Sequence, residues 1–274
     1  MPTATTRPRR TIEGGRRIAA TLVGVALLGT AMAGGLACAR TLDAISQRGS
    51  IALCAHPNAL PFAAKHGEPP GLQIELGEAL AARLGVRLVR HWVINDFQVP
   101  RADCDIVLDA IADRATLADT GLRPSRPYQR SGVVLAVRSE DAAPTSLAGL
   151  GGGRRVGVPV GSMVSMILDR RGVATTPFVF EDEIMTALLR REIDAAAVTR
   201  TSIGYYNLTH PAETVRTIAA FDSEQELNWN VAVGMLRPDD KLRQGVDTAL
   251  GGLLADGTIA RIYARYGVEL RPPQ

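Results

Sequence analysis

The chain has 274 residues, too many for most single hydrophobic cores and suited to two modest ones. It is 46% hydrophobic, 4% aromatic and 22% charged, with a formal net charge of +3. That positive balance comes from one end: Arg7, Arg9, Arg10, Arg16 and Arg17 face only Glu13, so without its first 39 residues the chain carries −1, and no basic surface remains to suggest a nucleic-acid partner.

The arginines precede the apolar run "IAATLVGVALLGTAMAGGLA" and then "ACA" at 37–39, the small-x-small form of a signal-peptidase site. This predicts a signal peptide over residues 1–39 and a periplasmic location. Cys38 after "GLA" also fits lipoprotein processing, against which stands Gly35, where a branched apolar residue is usual. The paired arginines allow twin-arginine export. An uncleaved anchor competes, because the run is nearly long enough to span a bilayer; the glycines and "ACA" favour cleavage. Cleavage leaves Cys54 and Cys104, which an oxidising compartment is expected to bridge, two separate buried thiols being the alternative.

From residue 41 the elements alternate. "SIALCA" (50–55) predicts a short apolar strand. "GLQIELGEALAARLG" places Leu72, Leu76, Ala79, Leu80 and Leu84 on one helical face, stopped by Gly85. "VRLVRHWV" (86–93) and "CDIVLDAI" (104–111) are strands, which makes α/β units around a parallel sheet. "GVVLAV" is an apolar strand leading into a Gly-rich, Pro-containing link. The pattern then restarts: "RRVGVPV" (154–160) is a strand, "GSMVSMILDRRG" a helix from about Ser162 to Gly172, "FVF" (178–180) a short strand. "EDEIMTALLRRE" is an amphipathic helix with acids at its start and arginines at its end, as the helix dipole favours; "IDAAAV" is the next strand. "NVAVGMLR" (230–237) is a strand, and "DDKLRQGVDTALGGLLAD" and "GTIARIYARYG" are helices that need a sheet to cover.

The expected architecture is α/β and two-lobed. Lobe 1 comprises residues 40–137 and 232–274, lobe 2 residues 138–231, and the two strands that cross between them form a hinge over a cleft.

In this order the motifs resemble the amino-acid type of periplasmic solute-binding proteins that serve ABC transporters (family 3), over nearly all of residues 41–270. The resemblance is carried by "IALCAHPNALPF", "GLQIELGEALAARLGV", "SRPYQRSGVVLAV", "VGVPVGSM" and "LLADGTIARIYARYG". It implies the type II fold, two parallel-sheet lobes joined by a two-strand hinge. "LCAHPNALPF", "CDIVLDAI" and "DAAAVTRTSIGYY" further resemble the branch associated with quinoprotein alcohol and methanol dehydrogenases, where cysteines at these two places and "G-Y" after the last strand recur.

Ligands of open α/β sheets lie outside the carboxyl ends of the strands, which directs attention to Thr199, Arg200 and Thr201 after the strand ending at Val198. The amino-acid binders that the chain resembles typically have an Asp where Thr199 stands, to pair with the ligand's ammonium. A neutral hydroxyl there implies a ligand without an α-amino group. Arg200 is a second ligand contact or an ordinary solvated charge. Gly161 and Ser162 open a helix directly after a strand, so their N–H groups and the capping hydroxyl suit a carboxylate; an ordinary Ser N-cap explains them equally. Arg114 lies near where the family places an arginine that clamps a ligand carboxylate, a role suited to the guanidinium fork. The run from Arg114 to Tyr128 is longer than in those binders, and Arg123, Arg126 and Arg130 compete for the position. Phe62, Tyr128 and Trp229 are expected to wall the cleft, with bracing of the hinge as the alternative for Trp229; Met163 and Met166 are read as core.

Nothing catalytic rises from the sequence. His56, His66, His91 and His210 show no zinc-ligand spacing, no C-x-x-C survives, and Ser162 lacks nucleophile-elbow glycines and a base. The expectation is a monomeric binding protein without enzymatic activity or cofactor, closing on a small organic ligand or part of a partner. Its first functional reading is an accessory factor of a periplasmic quinoprotein alcohol or methanol dehydrogenase. The second is an ABC-transporter receptor passing a carboxylate-bearing solute to a permease, and the third a dehydratase on the same fold.

Overall fold

The structure is a computed structural model that describes residues 40–113, 117, 120–142, 146–150 and 152–274. The expected signal peptide, Cys38 and Arg114 lie outside the described residues.

The first core is organised by β1 (Ser50–Ala55), buried at every position. A strand covered on both faces reads as a continuous apolar run rather than an alternating one. It pairs in parallel with β4 (Arg87–Trp92) and β5 (Ile106–Ile111). The helix α2 (Leu72–Arg83) buries Leu72, Ile74, Leu76 and Leu80 against this sheet. Two helices from the far end of the chain, α6 (Asp240–Ala255) and α7 (Thr258–Arg265), contribute Leu242, Val246, Leu250, Ile259, Ile262 and Tyr263 to the same core. The short α1 (Leu42–Arg48), capped by Thr41, adds Ile45. A two-residue hairpin, β2 (Asn58–Ala59) with β3 (Ala63–Ala64), carries Phe62.

The long strand β7 (Gln129–Arg138) serves both halves of the molecule. Its first four residues pair antiparallel with β12 (Asn228–Leu236), whose later residues join β5 and the short β6 (Leu122–Pro124). Its remaining residues pair antiparallel with β10 (Ala195–Thr199) and β11 (Val215–Ile218). Hydrogen bonding is therefore continuous through β7, while the cores on either side are separate.

In the second half β10 and β8 (Arg155–Pro159) are parallel neighbours, and β9 (Ala174–Phe178) lies parallel at the edge. Period-2 alternation divides the side chains. Leu135, Val137, Ala195 and Ala197 face α3 (Met163–Arg170), whereas Val134, Ala136, Ala196 and Val198 face α4 (Glu181–Leu189) and α5 (Arg200–Thr209). The molecule is thus a mixed α/β fold of two lobes, with seven α-helices among the described residues.

Three elements differ from the sequence expectation. The strand expected at 178–180 lies at 174–178, because edge position tolerates Pro177 and the chain leaves the sheet at Phe180 to start α4. Helix α5 begins directly at Arg200, with Thr199 as its N-cap. Met163 and Met166 are exposed rather than core, because α3 buries Val164, Ile167 and Leu168 on its other side. Cys54 and Cys104 are disulfide-bonded, with Cα atoms 5.5 Å apart, inside a small apolar cluster with Val93 and Val99.

Candidate functional site

Two cavities lie between the lobes and share one residue, Phe62. The inner one, of about 120 Å³, is floored by the hinge ribbon. Gln129 stands opposite Val231 and Ser131 opposite Trp229 in the β7–β12 ladder, so these four share one face and line the cavity together. Asp109 and Tyr263 enter from lobe 1, Thr199 and Thr201 from lobe 2.

Asp109 reaches this place through a β-bulge. Strand β5 uses the residues from Val107 to Ala110 where β12 uses only Gly234 to Ala232, and Asp109 has φ +57°, in the left-handed region. Such bulges re-aim a side chain that regular alternation would place elsewhere. Its carboxylate accepts from Tyr128 Oη at 2.7 Å, Tyr263 Oη at 3.2 Å and Gln73 Nε2 at 3.0 Å. Burial pushes the Asp109 carboxyl above its ordinary range despite these donors. Burial, and next the Asp109 charge, push the Tyr128 and Tyr263 phenols well above theirs.

On lobe 2 the side chain of Glu181, first residue of α4, turns back onto the end of β10. Thr199 N–H donates to Glu181 Oε1 at 3.1 Å, and Thr199 Oγ1 donates to Oε2 at 2.9 Å. A carboxylate thus stands beside Thr199, supplied by another element where the resemblance implied only a neutral hydroxyl. Burial raises the Glu181 carboxyl, opposed by hydrogen bonds from Ser202 and Thr199. A carboxyl whose folded pKa is raised stabilises the fold fully below the ordinary carboxylate range and loses that contribution as pH rises through the raised value. The melting temperature of Glu181→Gln is therefore expected to fall less than that of wild type between pH 4 and pH 8. Asp103 and Asp256, held low by Arg40 and Thr258, act in the opposite sense in both proteins and cancel in the difference. Parallel melting curves would refute this sign.

The outer cavity, of about 700 Å³, opens from Phe62. It is walled by Asn58 to Phe62 on lobe 1 and by residues of the α4 start and of α5 on lobe 2. Leu60, Val179 and Phe180 on its rim are exposed.

The sequence-derived candidates divide. Phe62 lines both cavities, and Thr199 the inner one. Tyr128 is 1% exposed and acts from behind, through Asp109. Arg200 lines neither cavity and pairs with Asp222 at 2.9 Å. Gly161 and Ser162 also stay outside both. Gly161 turns the chain with φ +67°, and Ser162 caps α3, its Oγ donating to Pro159 O at 2.6 Å and accepting from Ser165 N–H. Thr201, which follows Thr199 and Arg200 at the same strand end, also lines the inner cavity; Asp109, Gln129, Ser131 and Glu181 are not among the sequence-derived candidates. One signal is present: Gln129 and Ser131 are polar at i and i+2 in a strand that is apolar from Gly132 to Val137. Among the described residues no group of His, Cys, Asp or Glu is arranged to hold a metal ion, and no helix is long and apolar enough to cross a membrane.

The model of the bacterial extracellular solute-binding proteins, family 3, matches residues 51–269. No curated protein matches the sequence. Among solved structures the chain is similar to an ancestral cationic amino acid solute-binding protein, AncCDT-1, with a TM-score of 0.70 and 21% identity over 82% of this chain and 98% of that one. It is similar to an amino acid ABC transporter substrate-binding protein from Streptococcus pneumoniae bound to L-arginine, with a TM-score of 0.67 and 18% identity over 84% and 99%. It is also similar to the periplasmic binding protein XoxJ from Methylobacterium extorquens AM1, with a TM-score of 0.64 and 20% identity over 80% and 98%. At these identities the likeness shows a shared fold.

Proposed function

This chain belongs to the bacterial extracellular solute-binding proteins, family 3, and on that premise we propose that it is a periplasmic, non-catalytic accessory factor of a quinoprotein alcohol or methanol dehydrogenase system. The observation that carries the reading is the outer groove. It spans both lobes, has about 700 Å³, and exposes Leu60, Val179 and Phe180 at its rim. A groove of that size with an apolar rim suits an extended segment of a partner protein. The branch resemblance in "LCAHPNALPF" and "DAAAVTRTSIGYY" supplies the kind of partner, and the fold shared with the periplasmic protein XoxJ is in keeping with it.

The test is direct binding to the quinoprotein dehydrogenase of the same cell, by calorimetry or sedimentation. Binding is expected, and charges placed on the rim by Leu60→Asp and Phe180→Asp together are expected to weaken it more than about tenfold, since a charge buried against an apolar surface costs well over 1.4 kcal/mol. An absence of binding, or binding indifferent to the two charges, would count against the reading. A second reading, a receptor that delivers a small solute to an ABC permease, draws on the polar inner cavity. Uptake of a labelled solute lost on deletion of the gene, with dehydrogenase activity intact, would favour it.

A further inference from the structure

A docking role for the outer groove leaves the inner cavity unexplained. Gln129 is 4% exposed, faces that cavity, and its Oε1 has no hydrogen-bond partner. A buried acceptor left empty costs about as much as a lost hydrogen bond, so native proteins rarely leave one without a partner. Asp109 faces the same space, and the donors on it, Gln73, Tyr128 and Tyr263, are all neutral. A carboxylate in such surroundings favours a cation that also donates. The hydroxyls of Ser131, Thr199 and Thr201 complete the polar lining.

These groups select among ligand chemistries. A primary ammonium offers three donors, a positive charge and no acceptor, which matches one carboxylate, one amide oxygen and one hydroxyl. An alcohol brings one donor and no charge. A carboxylate ligand would meet Asp109 with like charge. The cavity's 120 Å³ corresponds to about four water volumes, enough for a head of a few heavy atoms. Phe62, shared with the outer groove, stands where the remainder of such a molecule would leave.

We propose that the inner cavity binds the ammonium head of a small primary amine, held by Asp109 and Gln129 and enclosed by Phe62. This needs the two-lobed binding fold but not a dehydrogenase partner, so either proposal can fail while the other stands. The test is calorimetric titration of the full chain with propylammonium chloride. The controls are 1-propanol, which lacks the charge, tetramethylammonium, which lacks the donors, and propionate, which has the opposite charge, all at equal ionic strength. Saturable binding of propylammonium is expected, with each control at least about tenfold weaker. Asp109→Asn is expected to weaken the amine at least about tenfold and Gln129→Met severalfold, since hydrogen bonds to charged groups contribute more than neutral ones. Should Asp109→Asn fail to fold, Gln129→Met carries the test, its fold checked by circular dichroism. Equal binding of propanol or propionate, amine binding unchanged in Gln129→Met, or no binding of any of the four compounds overturns the assignment.

Discussion

Replacing Asp105 by alanine is expected to cost about 1–3 kcal/mol of folding stability, the usual effect of leaving a buried backbone donor without its acceptor. The Asp105 side chain is completely buried at the entry to β5. Its Oδ2 accepts from Ala52 N–H of β1 at 2.7 Å and from the Arg48 guanidinium, and Arg40 Nε stands 3.8 Å from Oδ1. The Asp105 backbone joins the same junction, its N–H donating to Ala52 O at 2.8 Å and its C=O accepting from Leu236 N–H at 2.9 Å. Alanine would leave the Ala52 N–H without its acceptor and strip the exposed Arg48 of its counter-charge. Asp105→Asn, which retains an acceptor for Ala52, is expected to lose less. Urea unfolding of both variants decides the matter: a loss below about 1 kcal/mol for the alanine variant would show that water replaces the carboxylate freely. Because the junction lies away from both cavities, ligand affinity of the folded variant is expected to be unchanged.

How far the sequence announces this structure follows from what each signal measures. β1 and β10 are buried on both faces, so their apolar runs needed no partner to be recognised. The α2 face was legible because Leu72, Leu76 and Leu80 repeat at helical spacing and all reach the core. Helix α5 was not legible: "RTSIGYYNLT" mixes β-branched, aromatic and glycine residues without a clear stripe, and its start is fixed by the Thr199 cap alone. The candidate site divides the same way. Thr199 and Thr201 follow from the rule that ligands lie at strand ends, and Phe62 from the few aromatics available to wall a cleft. Asp109 depends on a bulge, and Gln129 and Ser131 face the cavity only because of the register between β7 and β12, which pairs residues about a hundred positions apart. Glu181 was read correctly as an acid at a helix start, yet its bonds to Thr199 join elements that only the folded chain brings together. Gly161 and Ser162 obey the strand-end rule in sequence but open a helix outside both cavities.

Gly204→Ala is expected to lower stability by about 3 kcal/mol, the upper end of ordinary overpacking, and to part the two lobes. A Cβ at Gly204 of α5 would lie 2.3 Å from Gly267 O, just beyond α7, and one at Gly267 would lie 2.4 Å from Gly204 O. The obstructing atoms are backbone on both sides, so no side-chain rotation relieves the clash. α5 belongs to lobe 2 and α7 packs in lobe 1, and next to the glycines the Tyr205 and Tyr266 rings lie 6.2 Å apart across the same contact. This gives the "G-Y" after β10 a physical role: the glycine lets the two backbones touch, and the tyrosine beside it also walls the outer groove. The added methyl therefore either strains the contact or moves the lobes apart, and the second course widens both cavities. Small-angle scattering should show a larger radius of gyration for the variant, alongside a lower melting temperature. If the inner cavity holds an amine between Asp109 of one lobe and Thr199 of the other, propylammonium should bind the variant more weakly, because separated lobes no longer present both walls at once. An unchanged radius and an unchanged melting temperature would mean that the helices slide past each other at little cost, and the glycine pair would then not set the spacing of the cleft.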